Sequence, residues 1–146
     1  MSEPLGVAVR QLDAALPLPT YARTDDAGLD LHAAERVTLA PGARALVATG
    51  IALAIPPGFA GLVLPRSGLA LRHGVTVLNS PGLVDAGYRG EVKVLLVNHG
   101  QVAVTLDRGE RVAQLVVHRV ERVTLSAVTE LPASARGTGG FGSSGA

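Results

Sequence analysis

An arginine, a serine and a glycine stand side by side in Pro65-Arg66-Ser67-Gly68-Leu69-Ala70. Arg66 carries a fork of N–H donors that matches phosphate oxygens, and unpaired backbone N–H groups at the start of a short helix would add to an anion site. The plainer alternative is that Ser67 only caps the helix and Arg66 is a surface charge. Asp85, between Gly82 and Gly87, sits where a carboxylate could orient a water or receive a sugar hydroxyl, or simply form a turn. Tyr88 is one of four aromatic residues in the chain. It is either a flat wall against a ligand or a core residue. Gln114 falls among apolar neighbours in Arg111-Val112-Ala113-Gln114-Leu115-Val116-Val117. A buried amide needs partners, so it is a structural bridge or a ligand contact. Asp30, in Ala27-Gly28-Leu29-Asp30-Leu31, reads in isolation as an exposed strand carboxylate.

The end of the chain offers a second group of parts. Arg136, the N–H groups of several glycines including Gly142, the ring of Phe141, and Ser143 and Ser144 suit a nucleotide: a cation for phosphate, donors for oxygens, a ring for a base. A disordered terminus is the alternative. Gly137, Gly139 and Gly142 satisfy G-x-G-x-x-G, but no strand precedes them and no helix can follow, so a dinucleotide fold is rejected. The four histidines at 32, 73, 99 and 118 lack metal-ligand spacing. No nucleophile signature supports covalent catalysis.

Elements must hold these groups, and the pattern is that of an all-β domain. Runs rich in Val, Leu and Ile cover 6–13, 36–40, 45–55, 59–64, 75–78, 91–98, 102–106, 111–120 and 126–131. Ala-Pro-Gly, Pro-Pro-Gly, Ser-Pro-Gly and Asn-His-Gly punctuate them. The one helix expected covers Ser67 to Arg72. Strand 91–98 is expected to pair with the segment around 78–84, making a hairpin whose tip, 85–90, presents Asp85 and Tyr88. Residues 1–131 form the domain, and 132–146 form a flexible tail.

Composition bounds the rest. A chain of 146 residues fits one domain. Only 3% of residues are aromatic, so the core is thin, and burial between identical subunits would supplement it. A net charge of +1 spread along the chain gives no stripe for nucleic acid. Twelve of the thirteen basic residues are arginine, the other being Lys93. With no cysteine there are no disulfides or thiolate chemistry. The start lacks a leader pattern and no apolar stretch is long enough to span a bilayer, so a soluble cytoplasmic protein is expected.

Five segments in order carry a resemblance: AGLDL at 27–31, PRSGLA at 65–70, GLVDAGYRGE at 82–91, RGERVAQLVV at 108–117 and RGTGGFGSSG at 136–145. Together they resemble the trimeric dUTPase family, from residue 27 to the C-terminus. The resemblance implies a jelly-roll-like β-barrel subunit in a homotrimer, with sites at subunit interfaces closed by a neighbour's tail. It implies hydrolysis of dUTP to dUMP and pyrophosphate with Mg2+, which limits uracil entry into DNA and supplies dUMP for dTMP synthesis. Asp85 would hold the attacking water as base, and Tyr88 would stack under deoxyribose. Arg66, Ser67 and Gly68 would hold phosphates, with Gln114 near the reacting phosphorus. Backbone groups around Asn79 would tell uracil from cytosine. Asp30 would hold waters of the metal ion. In the tail, Arg136 would meet the γ-phosphate, Phe141 would cover uracil, and Gly142 and Ser143 would add phosphate contacts.

Two rival activities are weighed against this. A dCTP deaminase of related fold would use a Glu in the strand after the hairpin, where residues 92–98 hold no acid. A non-catalytic uridine-nucleotide sensor is opposed by the presence of both Asp85 and the tail.

Overall fold

In a computed structural model the chain is described from residue 3 to residue 145. Its strands are β1 (Ala8–Gln11), β2 (Leu29–His32), β3 (Val37–Leu39), β4 (Arg44–Ala54), β5 (Phe59–Leu64), β6 (Val75–Val77), β7 (Gly82–Val84), β8 (Glu91–Asn98), β9 (Val104–Leu106) and β10 (Arg111–Arg119). The single helix, α1, is Ser67–His73. It stops because Gly74 adopts a left-handed backbone (φ 69°) and caps it with an N–H to Ala70 and Leu69 carbonyls.

The strands form two four-stranded sheets, ordered β1-β4-β8-β6 and β2-β10-β5-β7, with a small β3-β9 pair. Inward-facing residues alternate along each strand, as Val92, Val94 and Leu96 do on β8. They meet Leu31, Val63, Ala113 and Leu115 of the facing sheet in one aliphatic core. The expected mostly-β architecture with one short helix is present. Among the described residues the two sheets do not join into a closed barrel.

Two sequence expectations fail. β8 does pair with the 75–78 run, through β6 and a Leu78 N–H to the Leu95 carbonyl (2.9 Å). It does not pair with 82–84: that stretch is β7, bonded to β5 in the other sheet. Pro81 has no N–H to continue the β6 ladder, and the chain crosses there from one sheet to the other. The segment carrying Asp85 and Tyr88 is therefore an inter-sheet connection and not a hairpin tip. Nor is 126–131 a strand; it lies exposed with no partner.

One buried polar side chain ties the loops together. Asn98, fully buried, donates to the carbonyls of Leu39 (2.9 Å) and Val102 (2.8 Å) and accepts from Gly100 N–H (2.8 Å). Asn98→Leu strands all three groups and is expected to cost about 2–4 kcal/mol of unfolding free energy. Urea titration checks this, and a loss below about 0.5 kcal/mol would mean that water replaces the amide.

Candidate functional site

Most of the residues singled out from sequence line two clefts. The first, of about 440 Å³, is walled by Asp26, Gly28, Asp30, Arg66, Ser67, Gly68, Arg111 and Gln114. β2, β10 and β5 lie side by side, so Asp30 pairs with Gln114 and Gln114 with Leu64 across the sheet. The chain then leaves β5 through Pro65 into α1, which sets Arg66, Ser67 and Gly68 at the rim.

Charges here are held in a fixed order. The side chain of Asp30 is only 14% exposed and faces Arg66 Nε at 3.7 Å and Arg111 Nη1 at 3.4 Å. Arg66 Nη1 also donates to the Arg111 carbonyl (3.2 Å). The carboxylate that looked like an open strand acid is thus the shared partner of two guanidinium groups. Burial lowers the pKa of His32, opposite Arg111; Asp30 opposes the shift, and Arg111 and Arg66 add to it.

Gln114 donates from Nε2 to the Pro65 carbonyl at 3.0 Å, so it is a structural bridge that also lines the cleft. Its packing requires Gly28: a Cβ there would lie 2.3 Å from Gln114 Oε1. Gly28→Ala is expected to push the amide off Pro65 and lower stability by about 1–3 kcal/mol. An unchanged urea midpoint would show that the strand edge can yield. Ser67 makes no side-chain cap; the N-cap is Arg66, and Ser67 opens the helix with its side chain exposed.

The second cleft contains Leu46, Leu83, Val84, Asp85, Tyr88, Glu91 and Lys93 and measures about 290 Å³. It is continuous with a recess of about 170 Å³ bounded by Asn79, Gly82 and Leu95, the two sharing Leu46, Leu83, Val84 and Lys93. Asp85 and Tyr88 belong to one tight turn, Tyr88 N–H reaching the Asp85 carbonyl at 3.1 Å. Tyr88 is no core residue: it is half-exposed, and its hydroxyl donates to the Glu91 carbonyl at 2.8 Å.

The two clefts share no residue. Val84 lies opposite Gly61 on β5, and Arg66 follows five residues later, about 16 Å further along at the usual strand rise. Asp85 and Arg66 of one chain therefore lie toward opposite ends of β5. The tail joins neither cleft. Arg136 Nε donates to the Gly139 carbonyl (2.7 Å), Phe141 is wholly exposed, and Gly142 and Ser143 turn on themselves. No helix among the described residues is long and apolar enough to cross a membrane.

The fold is thus an open two-sheet β domain with one cleft lined by Arg66 and Arg111 and a second holding Asp85 and Tyr88. Comparison with protein families matches the dUTPase family over residues 14–145. The chain is 61% identical to the deoxyuridine 5'-triphosphate nucleotidohydrolase of Thermobifida fusca, covering 95% of this chain and 78% of that one. It is 58% identical to the enzyme of the same name from Anaeromyxobacter sp., covering 97% and 99%. The chain belongs to the dUTPase family. Among solved structures it is similar to a mutant dUTPase of Staphylococcus bacteriophage 80alpha bound to dUpNHpp, with TM-score 0.89, 28% identity and coverage of 97% and 99%. A mutant dUTPase from phage phi11 of S. aureus, described with a structural Mg(II) ion, has TM-score 0.80, 26% identity and coverage of 86% and 98%.

Proposed function

We infer that the chain hydrolyses dUTP to dUMP and pyrophosphate. It is a dUTP diphosphatase, a hydrolase of nucleotide metabolism. The observation that carries the reading is the cleft in which the exposed carboxylate of Asp85 stands beside the ring of Tyr88, apart from a cleft whose arginines suit phosphates.

Asp85 takes the proton of the water that attacks the α-phosphorus in line, and its position beside Tyr88 agrees with a contact to the sugar 3′-hydroxyl. Tyr88, held by its bond to Glu91, packs under deoxyribose and excludes a 2′-hydroxyl. Backbone groups around Asn79 meet uracil at N3–H and O4, where cytosine would leave them unpaired. Arg66, Ser67, Gly68 and Gln114 hold the phosphates, and the shared carboxylate of Asp30 keeps Arg66 and Arg111 aimed at them.

No group of three or more His, Asp or Glu able to hold a cation occurs among the described residues, and Asp30 is already engaged by two arginines. That donor set fits magnesium carried in on the triphosphate and touched by Asp30 through water only. Bound there, the ion supplies charge neutralisation on the departing pyrophosphate.

The separation of the two clefts supports a site completed between copies of the chain, in a homotrimer of jelly-roll-like subunits. Residues 1–131 form the β domain, and 132–146 form the tail that closes a neighbouring site. Exposed apolar residues beyond β10 agree with assembly: Val123 is 78% and Leu125 92% exposed in one chain. A deaminase finds less support: the recess at Asn79 is bounded by Lys93 and Leu95 with no carboxylate in its own lining, and the one acid of β8, Glu91, lies at the strand's start in the adjoining cleft, where its carboxylate accepts from Gly50 N–H (3.2 Å).

The test is pyrophosphate release with magnesium from dUTP, UTP, dCTP and dTTP in parallel. Release from dUTP alone establishes reaction, base and sugar together. Binding of dUTP without release would overturn catalysis in favour of a sensor, and ammonia from dCTP would restore the deaminase.

A further inference from the structure

The guanidinium of Arg72 stands close beside Gly68. A Cβ on Gly68 would stand 2.8 Å from Arg72 Nη2, 3.4 Å from Cζ and 3.6 Å from Nη1. Arg72 follows Gly68 by one helical turn, so the two occupy one face of α1, and Gly68 itself walls the arginine-rich cleft. The guanidinium thus stands beside a wall residue of that cleft, while the side chain as a whole stays exposed. Nothing acidic holds it there: among the described residues Arg72 takes part in no ion pair and no side-chain hydrogen bond. The first turn of α1 contains no acid either.

Charge on the wall of the cleft makes this placement consequential. Arg66 and Arg111 face Asp30, and Asp26 also lines the wall. Two guanidinium groups stand against two carboxylates, so these four groups cancel. Burial keeps His32 below its ordinary pKa, and it adds no positive charge at neutral pH. A polyphosphate entering the cleft would meet directional donors but no net attraction from these groups of the wall, and Arg72 adds a positive charge beside them.

We propose that Arg72 is a further substrate-binding residue, a cation at the rim of the cleft that contacts the terminal phosphates of the nucleotide. The inference rests on reading this cleft as the triphosphate site. It gives Gly68 a reason to lack a side chain, because a Cβ there would displace the guanidinium. The contact is exposed and therefore screened by salt, and it concerns the pyrophosphate portion and not the nucleoside.

Arg72→Met keeps the length and packing of the stem and removes the charge, while Arg72→Lys restores the charge without the fork. Calorimetric titration of inorganic pyrophosphate into the intact protein reads the contact whether or not dUTP is turned over. Arg72→Met is expected to weaken pyrophosphate binding roughly five-fold at low ionic strength, less at high ionic strength, with Arg72→Lys in between. KM for dUTP should rise by a similar factor, and inhibition by dUMP should not change. Equal pyrophosphate affinity in wild type and Arg72→Met, or no pyrophosphate binding by the wild type, overturns the proposal. Parallel weakening of dUMP makes the role structural and overturns it as well. If the wild type fails to turn over dUTP, the functional reading falls separately, and the pyrophosphate titration still decides the contact.

Discussion

Replacing Asp85 with Asn should abolish dUTP turnover while leaving the protein folded, assembled and able to bind nucleotide. The carboxylate is exposed and takes part in no ion pair among the described residues. The turn that carries it is held by the backbone, through Tyr88 N–H and the Asp85 carbonyl. Asn keeps that turn and the size of the side chain, and loses only the ability to take a proton. Loss of a positioned base is worth about 10²- to 10⁴-fold in rate. The measurement pairs pyrophosphate release with titration of a non-hydrolysable dUTP analogue. Turnover within a few-fold of wild type would remove Asp85 from the role of base. Loss of analogue binding together with turnover would instead make Asp85 a sugar ligand first.

How far the sequence reveals this arrangement depends on which interactions are local. β5 and β8 match the apolar runs at 59–64 and 91–98 residue for residue, because period-two alternation and the flanking Gly and Pro are properties of the segment itself. Pairing is not such a property. Strands close in sequence usually pair, which would put residues 82–84 on β8; Pro81 and the crossing to β5 put them in the other sheet. The 126–131 run has the composition of a strand, but a strand needs a partner, and a single chain provides none.

The same distinction runs through the site. Asp30, Arg66, Ser67, Gly68 and Gln114 converge on one cleft, and Asp85, Tyr88 and Asn79 on another. That these are two places and not one becomes visible only in the β5–β7 register. Alternation does not single out Arg111, which lines the first cleft. Strict alternation puts positions 111 and 114 on opposite faces of a strand, so the residue beside a suspected ligand seems to point away. A register shift between Arg111 and Ala113 brings both to the same cleft. The signal available in sequence was the polar pair at either end of Arg111-Val112-Ala113-Gln114, which alternation alone discounts.

Removing residues 136–146 tests the other half of the proposed site, and activity is expected to fall by about two orders of magnitude or more with assembly intact. The described tail residues are exposed in one chain except for the half-buried Gly139 and Gly140: Arg136 bonds only to its own turn, and Phe141 is wholly exposed with φ 52°. Their deletion therefore removes no core contact, and the unfolding midpoint should not move. What it removes is a cation, a ring and several free N–H groups that fit a triphosphate, a base and phosphate oxygens. On the proposed reading, a segment that leaves the fold of its own chain untouched but carries this set of groups would act when substrate orders it, the closed state excluding bulk water from the reacting phosphorus. Arg136→Ala and Phe141→Ala should each reproduce part of the loss. Size-exclusion chromatography, urea unfolding and steady-state turnover of the truncated protein decide the matter together. Full turnover would overturn the lid, whereas a change in subunit number would move the tail's role from closure to assembly.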